Sequence, residues 1–215
     1  VAVDSLVFED FLHFKNYKIV QLSPGICVQD FVLNPSNPFE SSLKEGRDRV
    51  HGSQRKSSVL EKIKNARRIY IFGVGSSGLS ALELQQRLMR MGMNSTCVTD
   101  SHMMLMNSSI ITEEDLVIGI SISGETTDIL QAVRLAKLRG VSIIGLTAFS
   151  ESELAKLSDV YLLAYNSTFV NNERFVNSQF ALMYVIDILS MKLLEDDRYQ
   201  YTMLQTMETI LSRSE

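Results

Sequence analysis

Two short stretches hold the residue types best suited to gripping an anion. The first, Gly73-Val-Gly-Ser-Ser-Gly78, joins the hydroxyls of Ser76 and Ser77 to glycines that admit a tight backbone and close ligand approach. The second, Ser121-Ile-Ser-Gly-Glu-Thr-Thr127, brings the hydroxyls of Ser121, Ser123, Thr126 and Thr127 to one connection, with Gly124 letting the chain turn. If each stretch opens a helix, the unpaired N–H groups and positive dipole end of that helix suit a phosphate. A lone serine or threonine at a helix start reads as an N-cap worth about 1 kcal/mol. Paired hydroxyls in two separate turns point instead to a ligand, and both roles are compatible.

The first stretch also fits G-x-G-x-x-G, and Asp100 follows at roughly the 20-residue spacing where a dinucleotide site places an acid for the ribose. A dinucleotide fold has one glycine-rich pyrophosphate turn and no general need of a second hydroxyl-rich cradle. Two such turns from adjacent strands would converge on one compact phosphate. Dinucleotide binding is therefore the weakest of three readings.

The elements that must position these turns alternate. Arg68–Phe72, Ser95–Thr99, Leu116–Ser121, Val141–Leu146 and Asp159–Leu163 read as strands, being short, apolar and β-branched. Between them, helices are expected over Ser77–Met91, with apolar Leu79, Leu82, Leu88 and Met91, over Glu125–Arg139, and over Leu154–Ser158. Gly92 and Gly140 close the first two. Longer helical patterns run from about Glu173 to Leu194 and from Gln200 to Ser212. Leu182, Val185, Ile186, Leu189 and Leu193 form the apolar face of the former. Five strands alternating with helices predict an α/β fold with a parallel sheet covered on both faces. Ligands of such sheets bind beyond the carboxyl ends of the strands, where strand order reverses.

Bulk properties narrow the function further. The chain has 215 residues and a net charge of −4, which disfavours nucleic-acid binding by the chain as a whole. No apolar run is long enough for a membrane span, and no secretion signal is recognisable, so a cytoplasmic chain with Cys27 and Cys97 reduced is expected. His13, His51 and His102 are too far apart in sequence for metal-ligand spacing; no metal or cofactor is implied. Met103, Met104 and Met106 read as packing, in a core or a subunit interface. All three prolines fall within the first 38 residues, and residues 44–68 carry nine basic side chains against three acidic ones. These shifts divide the chain into an N-terminal extension or linker, 1–57, and a domain over 58–215.

Ile69-Tyr-Ile-Phe-Gly-Val-Gly-Ser-Ser-Gly78 and Ile118-Gly-Ile-Ser-Ile-Ser-Gly-Glu-Thr126 resemble the two signature stretches of SIS (sugar isomerase) domains, over roughly residues 58–195. The resemblance implies a five-stranded, flavodoxin-like α/β/α sandwich that binds phosphorylated sugars. It implies that Ser76, Ser77, Ser121, Ser123 and Thr126, with the backbone at Gly124, hold the phosphate. Thr99-Asp-Ser-His102 followed by Leu116-Val-Ile-Gly-Ile, and the tail Tyr201-Thr-Met-Leu-Gln-Thr206 with Ile210-Leu-Ser-Arg213, are most similar to effector domains of RpiR-type bacterial transcription regulators. Those regulators bind DNA through an N-terminal helix-turn-helix domain, which residues 1–57 do not resemble. They often carry Ser-Arg where this chain has Ser178-Gln179.

The leading expectation is thus a sensor domain that binds a sugar phosphate as a homodimer or higher oligomer. DNA would be reached only through a helix-turn-helix domain absent from this chain. The alternative is an aldose–ketose isomerase, which needs a base for the C1 or C2 proton. Glu173, where the family places a carboxylate facing the sugar, and His102, just after the second strand, are the candidates for that base and for sugar contacts. Each has a bland reading beside it, a helix-dipole charge for Glu173 and a structural histidine for His102. Arg174 reads as a ligand contact from a partner subunit or a surface residue. Glu125 reads as a residue satisfying backbone donors and not as the base.

Overall fold

The computed structural model of the chain describes residues 59–164 and 179–212. The extension expected over 1–57 lies outside the described residues, as do Glu173, Arg174 and Ser178. In chain order the elements are α1 (Val59–Asn65), β1 (Ile69–Gly73), α2 (Ser76–Arg90), β2 (Ser95–Val98), α3 (Ser101–Ile110), β3 (Leu116–Ile120), α4 (Thr127–Leu138), β4 (Ser142–Thr147), α5 (Glu153–Leu157), β5 (Val160–Leu163), α6 (Phe180–Leu193) and α7 (Asp197–Leu211).

The strands form one parallel sheet of order β2-β1-β3-β4-β5. Every residue of β1 and β3 is buried, which is why they read as unbroken apolar runs and not as alternating ones. The chain moves outward from β1 to β2, then returns past β1 to β3 and continues the other way. With right-handed crossovers, that reversal puts α3, α4 and α5 on one face and α2 on the other. Packing agrees: Tyr70, Phe72, Val117 and Ile143 join Met104 of α3, Ile129 and Val133 of α4 and Leu154 of α5 in one core. Strand neighbours of opposite parity, Ile71, Ile118, Ile120, Ile144 and Leu146, are equally inaccessible. On that side α2 packs against β1 and β2, and α6 packs against α2.

Three helices depart from expectation. The buried face of α2 is Ser77, Gly78, Ala81, Leu84 and Leu88, whereas Leu79 and Leu82 are exposed. Small side chains let this helix approach the sheet closely, so its inner face is not its most apolar one. Helix α3 was not anticipated, because Ser101–Ile110 lacks a clean apolar period; Asp100 starts it by accepting a hydrogen bond from Met103 N at 2.9 Å. Of its methionines, Met104 is fully buried, but Met103 and Met106 are exposed on this chain, so the packing role expected of all three holds within this domain for Met104 alone. Helix α7 begins at Asp197, three residues before the expected Gln200, under an Asp196 cap. The expected apolar face of α6 is buried in full.

Candidate functional site

The two hydroxyl-bearing turns leave adjacent strands at the same edge of the sheet. Gly73, the last residue of β1, is in register with Ile120, the last residue of β3, and Ser121 follows at once. This is the point where the strand order reverses, the place where open α/β sheets bind ligands.

Ser76 and Ser77 are the first two residues of α2, Ser76 exposed and Ser77 buried. Gly75 precedes them at φ 58°, a left-handed conformation that glycine adopts without cost. It makes no side-chain cap, and the first turn of α2 has no acidic residue. Thr126 stands at the N-cap of α4 and likewise makes no side-chain cap bond. By contrast α3, α5 and α7 are capped by Asp100, Ser152 and Asp196. The serines and threonine at the switch point therefore do not spend their hydroxyls on capping, and the N–H groups of α2 and α4 keep their partial positive charge.

Within the second turn the hydroxyls are linked. Ser121, 2% exposed, shares hydrogen bonds with Thr126 Oγ1 (2.8 Å) and Ser123 Oγ (3.4 Å), and its Oγ accepts from Gly124 N at 3.0 Å. Ser123, exposed, accepts from Glu125 N at 3.2 Å. The network leaves Ser121 as a fixed floor and Ser123 as the outward donor. Gly124 has φ 68°, and a Cβ there would lie 2.7 Å from Thr147 Oγ1 and closer still to Ser152. The turn is thus pressed against the β4–α5 connection, where Thr147 Oγ1 donates to Ile122 O (3.2 Å) and Ser152 Oγ donates to Phe149 O (2.7 Å). Glu125 points its carboxylate across this seam, accepting from Glu153 N at 2.9 Å.

The remaining sequence candidates separate. His102 is the second residue of α3, exposed at the carboxyl edge beyond β2, and no hydrogen bond joins it to either turn. Asp100, the ribose candidate of the dinucleotide reading, is engaged as a cap. Glu173 lies outside the described residues. Gln179, which stands in place of the expected arginine, accepts from Ser80 Oγ at 3.0 Å, while its buried Nε2 has no hydrogen-bond partner among the described residues. Sequence reasoning missed Ser80, Thr147 and Ser152. The hydroxyl-rich run Thr147–Ser152, which starts on the last residue of β4, was the available signal for the last two. Among the described residues, no group of His, Cys, Asp and Glu side chains is placed to hold a metal ion, and no helix is long and apolar enough to cross a membrane.

These features define a doubly wound α/β domain whose switch point is lined by hydroxyls and uncapped helix starts. The sequence profile of the SIS domain matches residues 62–191, and the chain belongs to that family. The domain is related to the HTH-type transcriptional regulator RpiR of Escherichia coli K12, with 36% identity over 136 residues, 61% of this chain and 44% of that protein. In structure it is similar to the NanR protein of Vibrio vulnificus, solved in complex with ManNAc-6P, at TM-score 0.66 and 25% identity over 86% of this chain and 71% of that one. A further match is of another kind. A Haemophilus influenzae protein provisionally assigned as a glycosyltransferase is 91% identical over 65 residues, 30% of this chain and 23% of its own length. The chain spans less than two-thirds of the length of each of these curated relatives.

Proposed function

We propose that the domain binds a sugar phosphate as the sensor of a transcriptional regulator, with Ser76, Ser77, Ser121, Ser123 and Thr126 and the backbone at Gly124 around the phosphate. The observation that carries the reading is the pair of uncapped, hydroxyl-bearing helix starts on β1 and β3, side by side at the switch point. Relationship to HTH-type transcriptional regulators, and likeness to the NanR protein solved with ManNAc-6P, support the sensor role over an isomerase. His102 at the rim and Glu173 contact the sugar. Two copies pair, and a separate DNA-binding domain reports ligand binding.

By the same reading residues 1–57 form an N-terminal extension or linker to the domain. The SIS match leaves 61 residues before it and 24 after it.

The test is a binding and turnover assay on one panel of hexose, pentose and amino-sugar phosphates, NAD included. The sensor reading expects saturable binding of one sugar phosphate without interconversion of aldose and ketose by ¹H NMR. Turnover that disappears in Glu173→Gln while binding persists would establish the isomerase. Binding of NAD alone would establish the dinucleotide reading.

A further inference from the structure

An acidic residue inside an anion-binding turn is an anomaly. The Glu125 carboxylate, immediately after Ser123 and Gly124, repels a phosphate held by those residues. Its placement explains its presence. Glu125 accepts from Glu153 N at 2.9 Å, and Leu154 N donates to Gly124 O at 3.0 Å. Ser152 Oγ supplies the neighbouring acceptor, for Ala155 N at 3.4 Å. Two consecutive turn residues thus satisfy the first two N–H groups of α5, a helix of five residues with little structure of its own to hold it. On the other side, Arg134 of α4 pairs with the Glu153 carboxylate at 2.9 Å, so α4, the turn and α5 close into one circuit.

We propose that Glu125 is a positioning residue for the phosphate turn: it latches Ser123-Gly-Glu125 onto the start of α5 and so fixes the direction of the Ser123 hydroxyl and the first N–H groups of α4. The inference rests on the phosphate reading of the switch point. It makes an unusual demand on substitution. The latch needs an oxygen acceptor and not a charge, so Glu125→Gln keeps it and also removes the repulsion of the anion. Glu125→Ala removes both.

The experiment titrates ¹⁵N-labelled protein with inorganic phosphate, and with ManNAc-6P, comparing the unaltered chain, Glu125→Gln, Glu125→Ala and Ser123→Ala. Amide hydrogen exchange at Gly124, Glu153 and Leu154 is measured without ligand. The expected result is binding by Glu125→Gln as tight as in the unaltered chain or up to severalfold tighter, and binding by Glu125→Ala at least fivefold weaker. Exchange at Glu153 should be faster in the alanine variant only. Unweakened binding by Glu125→Ala, or equal losses in Glu125→Ala and Glu125→Gln, would overturn the latch. If the unaltered protein binds neither probe nor any other sugar phosphate, the phosphate reading itself falls, and the latch proposal with it. An alanine variant that does not fold leaves the glutamine variant to decide, since a weaker-binding but folded Glu125→Gln contradicts the proposal by itself.

Discussion

Replacing Ser123 by alanine should separate ligand binding from folding. Ser123 is exposed, and the one hydrogen bond its side chain accepts from the backbone is at 3.2 Å, so its loss should cost the empty fold no more than about 0.5–1 kcal/mol. On the proposed reading the same hydroxyl would donate a hydrogen bond to the charged phosphate, worth about 1.5–3 kcal/mol. The dissociation constant should then rise between roughly 10-fold and 150-fold. A ligand present at 100 times its dissociation constant stabilises the unaltered protein by about 2.7 kcal/mol. For a chain of this size that is a rise in Tm of about 5–11 °C. At the same ligand concentration the variant should gain only about 0.3–1.4 kcal/mol, or about 1–6 °C. A thermal-shift assay with and without sugar phosphate reads both quantities. An equal ligand-induced shift in the two proteins would refute the placement of Ser123 on the phosphate. A large loss of Tm without ligand would show that the residue acts in folding.

Ser121→Ala should behave differently, losing about 1–2 kcal/mol of stability as well as affinity, because its buried hydroxyl joins Thr126, Ser123 and Gly124; urea unfolding with and without ligand would show it. Gly124→Ala should destabilise by about 2–4 kcal/mol, from the left-handed backbone and from the clash with Thr147 and Ser152, whereas Gly75→Ala, also left-handed but facing open space, should cost about 1–2 kcal/mol; comparative urea midpoints test the pair. Burial alone would raise the Asp115 carboxyl, but its hydrogen bonds with Arg67 and Thr112 outweigh burial and hold it below the ordinary carboxylate value. A depressed folded value means that this stabilisation is whole above the unfolded value of about 3.9 and is lost as pH falls through the folded one. Asp115→Asn should therefore lower Tm at pH 7 and differ progressively less from the unaltered protein below pH 4. Burial also raises the Cys97 thiol, so alkylation of folded protein at pH 7.5, followed by peptide mass mapping, should modify Cys97 more slowly than in urea.

Much of the architecture was legible because the sheet is doubly covered. Continuous apolar runs such as Ile69–Phe72 and Leu116–Ile120 have one reading when helices alternate with them, and the two hydroxyl-rich turns follow directly from the strand ends. What escaped notice depends on tertiary proximity. Helix α2 turns Ser77, Gly78 and Ala81 inward and Leu79 outward, since close approach to the sheet favours small side chains over apolar ones. Helix α3 owes its start to the Asp100 side chain more than to any apolar period. The support that Thr147 and Ser152 give to Gly124 spans 23 to 28 residues of sequence, and no local pattern announces it. Glu125 was read as satisfying backbone donors, yet the donor belongs to the next helix in the chain and not to its own.

Phosphate contacts alone do not distinguish a sensor from an isomerase. A cradle of hydroxyls and backbone amides grips the same group in substrate, intermediate and product. Such uniform binding raises affinity without lowering the barrier to chemistry. Enediol chemistry adds a demand that the cradle cannot meet, a base within about 2.6–3.2 Å of the proton it removes. Around the two turns, the carboxylates of Asp100 and Glu125 are already engaged with Met103 N and Glu153 N. His102 stands at the rim, and Glu173 is the further candidate from the sequence. On the proposed reading, an isomerase would differ from a sensor in that His102 or Glu173 reaches C1 or C2 while the phosphate stays in place. A domain that had lost or never aligned that group would keep its affinity intact, and its binding energy would remain available to shift an oligomer between two arrangements.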